Sequence, residues 1–400
     1  MSQNDVFLVI AFDHPLQAVE SVADRIATAL CCQGVNAAAC SLPRDLQKLA
    51  SIPPDKVTGI LSMGSVPLSH RLGDGWLWEH FACPVTVYLL DAILYDLARV
   101  PVLRHFLAAA RQDPRLSLAS PESGYAQWLQ ESVGVRWDHL PFGHFAKIKP
   151  GEPAVVPQAR LCVIGTIGQE LGNNPANENL PGLLERVGLS DPLLRTRVQD
   201  ALLASDADAM PARTVSEQLG WNPETALQHL PALIAVDSWV KRHRRLAAVR
   251  SLQGVPVDFF GTGWRELLGD VPDFRYVGNI KHQDIATLLR HYRGLVNFDP
   301  NWQHGVHDRV YTACAMGTAV ITNDNTALGE DHLPAELIST YSAQNPELTE
   351  QVRDIGILGQ QPSATTPRYD VMQSHCWTNR IAKWMHDYPI ASNETNHQNP

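Results

Sequence analysis

The stretch "NFDPNWQHGVHDRVYTACAMGTAVITN", Asn297 to Asn323, decides how the chain is read. It runs as the end of a strand, a polar loop, a helix over 306–316, a glycine stop at Gly317 and a second strand over 318–323. Two buried strands joined through one helix are the repeating unit of a parallel sheet. Val310, Ala313 and Cys314 recur three and four apart and form the helix's buried face, with Arg309 and Thr312 on the adjacent one. The first turn carries His307, Asp308 and Arg309, although a cation there is disfavoured by about 0.3–1 kcal/mol against the helix dipole. Two arrangements relieve that conflict. An anion, such as a pyrophosphate, sits at the helix start and is gripped by His304, His307, Arg309 and backbone N–H groups. Otherwise Asp308 satisfies the dipole and Arg309 bridges to a neighbouring carboxylate.

The same rhythm extends in both directions. Downstream of residue 250, short apolar runs recur at "VDFFGTGW" (257–264), "FRYVGNI" (274–280), "GLVNFDP" (294–300), "TAVITN" (318–323) and "ELISTY" (336–341). Upstream, "ARLCVIGTIG" opens this half with a buried strand. From about 180 to 252 the sequence is Leu- and Ala-rich and helical, an insertion after that first strand. The first third repeats the pattern at 6–12, 35–41, 57–63, 85–91 and 116–120, with a helix running to about Gln33. Strands buried on both faces and alternating with helices predict two doubly wound, Rossmann-like α/β domains. The Pro-rich "IKPGEPAVVPQ" (148–158) reads as the linker, giving domains over 1–150 and 151–370. A helix in 371–390 places Trp377, Ile381 and Trp384 on one face and is expected to pack back toward the N-terminal domain. The residues after it read as disordered.

Composition narrows the function. With 32 basic and 42 acidic residues the net charge is −10, which opposes binding to nucleic acid or anionic lipid. Seven cysteines, an odd set without CxxC spacing, fit a reducing, cytoplasmic compartment. The N-terminus lacks the pattern of a signal sequence, and no apolar run reaches the ~18–20 residues of a membrane span. Asn393 heads a sequon in a polar tail and reads as chance.

Ligands of open parallel sheets bind beyond the carboxyl ends of the strands. Three strands of the second half finish in glycine: Gly165 and Gly168, Gly261 and Gly263, and Gly278. One such glycine marks a turn; three at one sheet edge suggest a ligand floor. In the first half, Asp13 and His14 follow the first strand and Asp91 follows "VTVYLL". Each stands where a general base would; Asp91 is the preferred one, though it reads equally as a helix N-cap. The Asp206-Ala207-Asp208 triplet lies in the helical insertion and reads as a solvated face, so no metal is expected. Lys241 to Arg245 also read as solvated helix, and Trp221 and Trp239 as joining the insertion to the body.

The segments "NIKHQDIATLLRHYRGLVNFDPNWQHGVHDRVYTACAMGTAVITNDN" and "SHCWTNRI" resemble the C-terminal domain of group 1 glycosyltransferases of the spore-maturation-protein type. The resemblance is strongest over 255–390; over 1–150 it is limited to the strand rhythm and "HLPFGHF", whose His144 falls near the cleft on the family pattern. It implies a GT-B enzyme, with two Rossmann-like domains facing a cleft. It also implies transfer of a sugar from a nucleotide-diphosphate donor, expected to be a uridine one, to an unidentified acceptor hydroxyl, with no cofactor. Gly261, Thr262 and Gly263 would border the donor, with Gly165 on the same floor, and Gly278, Asn279 and Ile280 would meet the base. Gly305, His307, Asp308 and Arg309 would face its sugar and diphosphate, with Arg309 stabilising the leaving group. Thr312 holds the place of a glutamate that binds the ribose in many relatives, and His304 that of a second glutamate in retaining ones. Inverting and retaining courses both remain open. A catalytically idle sugar-nucleotide or partner-binding protein and a nucleotide-sugar epimerase are the alternatives.

Overall fold

A computed structural model of the chain describes residues 5–90, 100, 102–144, 146, 155–167, 179–204, 210–299, 301–344, 346–355, 368 and 372–387. Asp91, Gly168, Asp206, Asp208 and Asn393, most of the 148–158 linker and the tail after the last helix lie outside these residues. By contact the chain divides into two units. One comprises Met1–Pro121, Val133–Pro141 and Cys376–Pro400, the other Glu122–Ser132 and Phe142–His375.

The first unit is built on six parallel strands, β1 (Val6–Phe12), β2 (Ala37–Leu42), β3 (Val57–Met63), β4 (Val85–Tyr88), β5 (Leu116–Ser120) and β6 (Trp137–His139), in the order β2-β1-β3-β4-β5-β6. The middle five residues of "VFLVIAF" are all buried, as a strand covered on both faces requires. A short antiparallel hairpin pairs Arg71–Leu72 with Gly75–Trp76. The Trp377–Asp387 helix lies against the Ala18–Cys32 helix. It buries Trp377, Ile381 and Trp384, the face its periodicity predicts, and Trp377 meets Tyr88 edge-on at 6.5 Å.

The second unit carries β7 (Gln158–Ile164), β8 (Val257–Phe260), β9 (Phe274–Gly278), β10 (Tyr292–Val296), β11 (Ala319–Asn323) and β12 (Ile338–Tyr341), all parallel, in the order β9-β8-β7-β10-β11-β12. This is the dinucleotide-fold order, and it reverses direction between β7 and β10. Beneath its helices, Phe259 is fully buried against Trp264, Phe274 and Tyr276, with ring centroids 5.1–5.5 Å apart. Asp258, also fully buried, accepts from Arg160 of β7 (2.7 Å), Arg275 of β9 (3.0 Å) and the Tyr292 hydroxyl of β10 (2.6 Å). One carboxylate therefore ties four neighbouring strands together.

The helical insertion follows from local chemistry. Asn179 and Asn222 cap helices Leu180–Arg186 and Pro223–Gln228 by accepting from Gly182 and Thr225 N–H (2.9 and 2.8 Å). Prolines sit in the first turns of these two helices and of Pro211–Gln218 and Leu230–Arg250, where no intrahelical N–H is missed. The expectation that 241–245 is a solvated run is corrected here. Arg242 and Arg244 are buried and Arg245 is half-buried, because Leu230–Arg250 is packed along most of its length. Trp221 stacks on His229 and Trp239 packs on His243, both within the insertion.

Candidate functional site

At the reversal between β7 and β10 the loops leaving the two strands diverge, and the Asp308–Ala315 helix starts beside them. The floor is backbone. Gly165 N–H donates to Phe260 carbonyl at 2.8 Å, Ile167 N–H to Thr262 carbonyl at 3.0 Å, and Trp264 Nε1 to Gly165 carbonyl at 2.7 Å. Gly261 and Gly263 have φ of 126° and 88°. A Cβ at either would stand 2.2 Å from Gly165 carbonyl oxygen or 2.0 Å from Ile167 carbonyl oxygen. Their freedom is spent on the close approach of two loops. Gly278 (φ 95°) has open space around its missing Cβ, and Asn279 beyond it is exposed. Thr262 is exposed and Ile280 half-buried.

The helix has a simple distribution: of Asp308–Ala315, Arg309 alone is not buried. Its guanidinium Nη1 donates to Ile164 carbonyl at the end of β7, so the side chain reaches across the point where the strand order reverses. Arg245 donates to Thr166 and Phe298 carbonyls (3.4 and 3.2 Å), bracing the ends of β7 and β10. Buried amides fix the loop after β10. Asn297 Nδ2 donates to Asp299 Oδ2 (2.8 Å) and Thr322 Oγ1 (3.0 Å), and Asn325 Nδ2 donates to Trp302 and Gly305 carbonyls (3.0 and 2.6 Å).

Two expected donor contacts are turned inward. Asp308 is buried, with one oxygen on His307 Nδ1 and the other 3.2 Å from His282 Nε2. Burial pushes its carboxyl upward, but His307 and then His282 override that and hold it well below the usual carboxylate range. Thr312 is fully buried, and its hydroxyl donates to Asp308 carbonyl at 2.9 Å, the ordinary back-bond of a helical threonine. Its hydroxyl is not presented to a ribose, because the whole helix beyond Arg309 is core.

His304 is braced on several sides. Its N–H donates to Glu122 Oε1 at 3.1 Å, its carbonyl accepts from Ser123 N–H at 3.3 Å, and its Nδ1 lies 2.9 Å from Thr326 Oγ1. Glu122 is only 2% exposed and, like His282, was not singled out from the sequence, being 182 residues from its partner. His144 is buried, its N–H donating to His375 carbonyl at 3.0 Å. Next to His304 a cleft of ≈ 880 Å³ opens at the ends of β11 and β12, lined by Arg244, Gln303, Asn323, Thr326 and Gln344 among others.

Asp13 and His14 belong to the first unit, where the strand order also reverses, between β1 and β3. Ser41 hydroxyl donates to Asp13 Oδ1 at 2.5 Å, and Arg44 stands 3.8 Å away. His14 N–H donates to Glu20 and its Nδ1 accepts from Leu16 N–H. Among the described residues no cluster has the make-up of a metal site and no helix is long and apolar enough to cross a membrane.

Residues 241–386 match the family model described as glycosyl transferase-like, a span that includes Arg245, His282, the Arg309 helix and the last helix. Among solved structures, sucrose-phosphate synthase from Thermosynechococcus elongatus shares 12% identity, with 96% of this chain and 98% of that one covered and a TM-score of 0.50. A glycosyltransferase from Rickettsia africae ESF-5 shares 10% over 98% and 100% of the two chains, TM-score 0.46. HepE from Anabaena, solved with UDP and glucose, shares 11% over 95% and 98%, TM-score 0.48. At such identities the likeness is one of fold. No curated protein sequence matches the chain. Residues 241–386 thus match a glycosyl transferase-like family, and the two Rossmann-like sheets share the fold of the sucrose-phosphate synthase structure.

Proposed function

We propose that the chain transfers a sugar from a uridine-diphosphate donor to an acceptor hydroxyl, without a metal ion, and that the diphosphate rests against the start of the Asp308–Ala315 helix. The observation that carries this reading is the position of Arg309, the one unburied residue of that helix, standing across the strand-order reversal. Charge develops on the departing phosphate as the glycosidic bond breaks. A guanidinium held by Ile164 carbonyl, His307 beside it and the helix's first N–H groups are preorganised donors at that place. The cleft beside His304 is lined by carboxamides, hydroxyls and charges of both signs, which suits a polyhydroxylated group more than an apolar one. Asp13 is our candidate base for the acceptor hydroxyl, its carboxylate oriented by Ser41 and still 42% exposed.

The test is thermal stabilisation of the full chain by UDP and by UDP-sugars, followed by turnover of those that bind. A ligand at 100 times its Kd adds about 2.7 kcal/mol. Arg309→Ala should abolish the UDP-induced shift and turnover together. A variant that binds UDP as the parent does would remove the diphosphate from this helix. A catalytically idle sugar-nucleotide binder is the second reading, favoured by burial of Thr312 where many relatives carry a ribose-binding glutamate. It predicts the UDP shift with no donor consumed.

A further inference from the structure

The imidazole–carboxylate–imidazole chain His307–Asp308–His282 is more than anion binding requires. His307 Nδ1 is committed to Asp308 Oδ1, and Asp308 Oδ2 is committed to His282 Nε2 at 3.2 Å. Two aromatic rings stand beside His307, 6.2 Å from each other. Trp302 stacks on it with centroids 5.8 Å apart at 20°, and Phe142 lies 5.6 Å away at 30°. The ring thus has one polar atom left to offer, Nε2, which makes no hydrogen bond among the described residues, and the side chain keeps 27% of its surface exposed. It stands at the helix N-cap, two residues before Arg309.

We propose that His307 is a catalytic acid, passing its Nε2 proton to the phosphate oxygen that departs from the sugar, and that His282 is the positioning residue that holds Asp308 in place behind it. This rests on the reading of the site as the donor diphosphate site. The step balances. The C1–O bond breaks and its electron pair goes to the β-phosphate oxygen, which takes the Nε2 proton. The acceptor oxygen bonds to C1, and its proton is lost to a base. His307 is left as the neutral imidazole, its Nδ1 keeping its proton and still donating it to Asp308, and Nε2 regains a proton from solvent.

Arg309 cannot replace this function, because a guanidinium does not release its proton near neutral pH. An imidazole is the side chain most often used for proton transfer to a leaving oxygen. A buried carboxylate behind an imidazole fixes its orientation and favours its charged form, as in the serine-protease arrangement. With a single partner, the second oxygen of Asp308 would need another donor or would turn the carboxyl; His282 supplies that donor from the 3-10 turn His282–Asp284. Among the described residues, the charged and titratable groups beside His307 are Asp308 and Arg309 on its own helix and His282 across Asp308. His304, three residues earlier, has its Nδ1 on Thr326, and Trp302 and Phe142 bring no charge.

The experiment uses UDP as the probe on the full chain, by calorimetry from pH 6.5 to 8.5, with His307→Gln and His282→Gln. We expect UDP affinity of the parent to fall at least tenfold more across that range than that of His307→Gln, which keeps only the nucleotide's own pH dependence. His282→Gln should bind UDP at pH 6.5 but lose affinity at a lower pH than the parent. With any UDP-hexose that is turned over, kcat of His307→Gln should drop about 10²-fold with KM within a few-fold. Parent and His307→Gln curves that run parallel would overturn the acid, and an unshifted His282→Gln curve would overturn the positioning role. Absence of UDP binding at every pH would overturn the donor-site reading first, and this inference with it.

Discussion

Replacing Gly261 by alanine tests whether the backbone floor sets the position of Arg309. The residue has a φ of 126°, and the added Cβ would stand 2.2 Å from Gly165 carbonyl oxygen and 2.6 Å from its carbon. The carbonyl would have to retreat by about 1 Å before the contact became an ordinary one. It now accepts from Trp264 Nε1 at 2.7 Å, while Gly165 N–H donates to Phe260 at 2.8 Å. A shift of that size takes both bonds to the limit of useful geometry, at a net cost of about 1 kcal/mol each. Strain at a glycine-only φ adds about 1–3 kcal/mol, so the variant should lose about 3–5 kcal/mol of stability. The functional effect is separable. Arg309 is anchored on Ile164 carbonyl, one residue before the displaced group, and a misplacement near 1 Å costs about 10²-fold in rate. The assay is kcat/KM for donor consumption, at a temperature where calorimetry shows the variant fully folded. Stability reduced as expected with kcat/KM unchanged would refute the argument that this loop positions the guanidinium.

Two further outcomes concern stability. Asp258→Ala removes the carboxylate that joins Arg160, Arg275 and Tyr292; because Arg160 and Arg275 retain 26% and 58% side-chain exposure, the loss should be near the lower end of the usual range, about 3 kcal/mol in a urea titration. A change under 1 kcal/mol would mean that the strands are held without it. Asp308 has a depressed folded-state carboxyl pKa, so its contribution is fully present above the ordinary carboxylate range, near pH 4, and disappears as the pH falls through the lower folded value. The urea midpoint of the parent should therefore fall more steeply on acidification below about pH 4 than that of Asp308→Asn, and superimposable acid limbs would deny the pairing.

All but one of the strands of the two sheets were legible, each an apolar run bounded by turn residues. β6 escaped notice for a physical reason. Its three residues include Asp138, which is buried yet ionisable, with its carboxyl pushed up by burial and opposed by Arg136. The buried Arg242 and Arg244 misled in the same way, since a run of cations reads as solvated until a packed helix is seen around it. Arg309 was legible from its wrong sign at a helix start. His282 was not, lying 26 residues from Asp308 in a 3-10 turn without periodicity, and neither was Glu122. Spacing along a helix identifies faces, but it cannot say that a face is closed over, which is why Thr312 read as accessible.

The closure of Thr312 bears on how a nucleotide would be selected. In this helix Thr312 is core, and the one acid of the first turn, Asp308, is committed to two imidazoles. What the helix start can offer a ligand is one guanidinium, backbone N–H groups and one imidazole nitrogen that donates only while His307 is protonated, with no carboxylate left to hold a diol. Such a surface selects for phosphate and is indifferent to the sugar of the nucleoside. Any preference for ribose over deoxyribose must then come from acceptors elsewhere, and the backbone at Gly278–Ile280, with open space at Gly278, offers one such set at this sheet edge. Comparing UDP with dUDP separates the two sources: equal affinities would mean that the helix start carries recognition alone, whereas a preference for UDP would bring the end of β9 into the site.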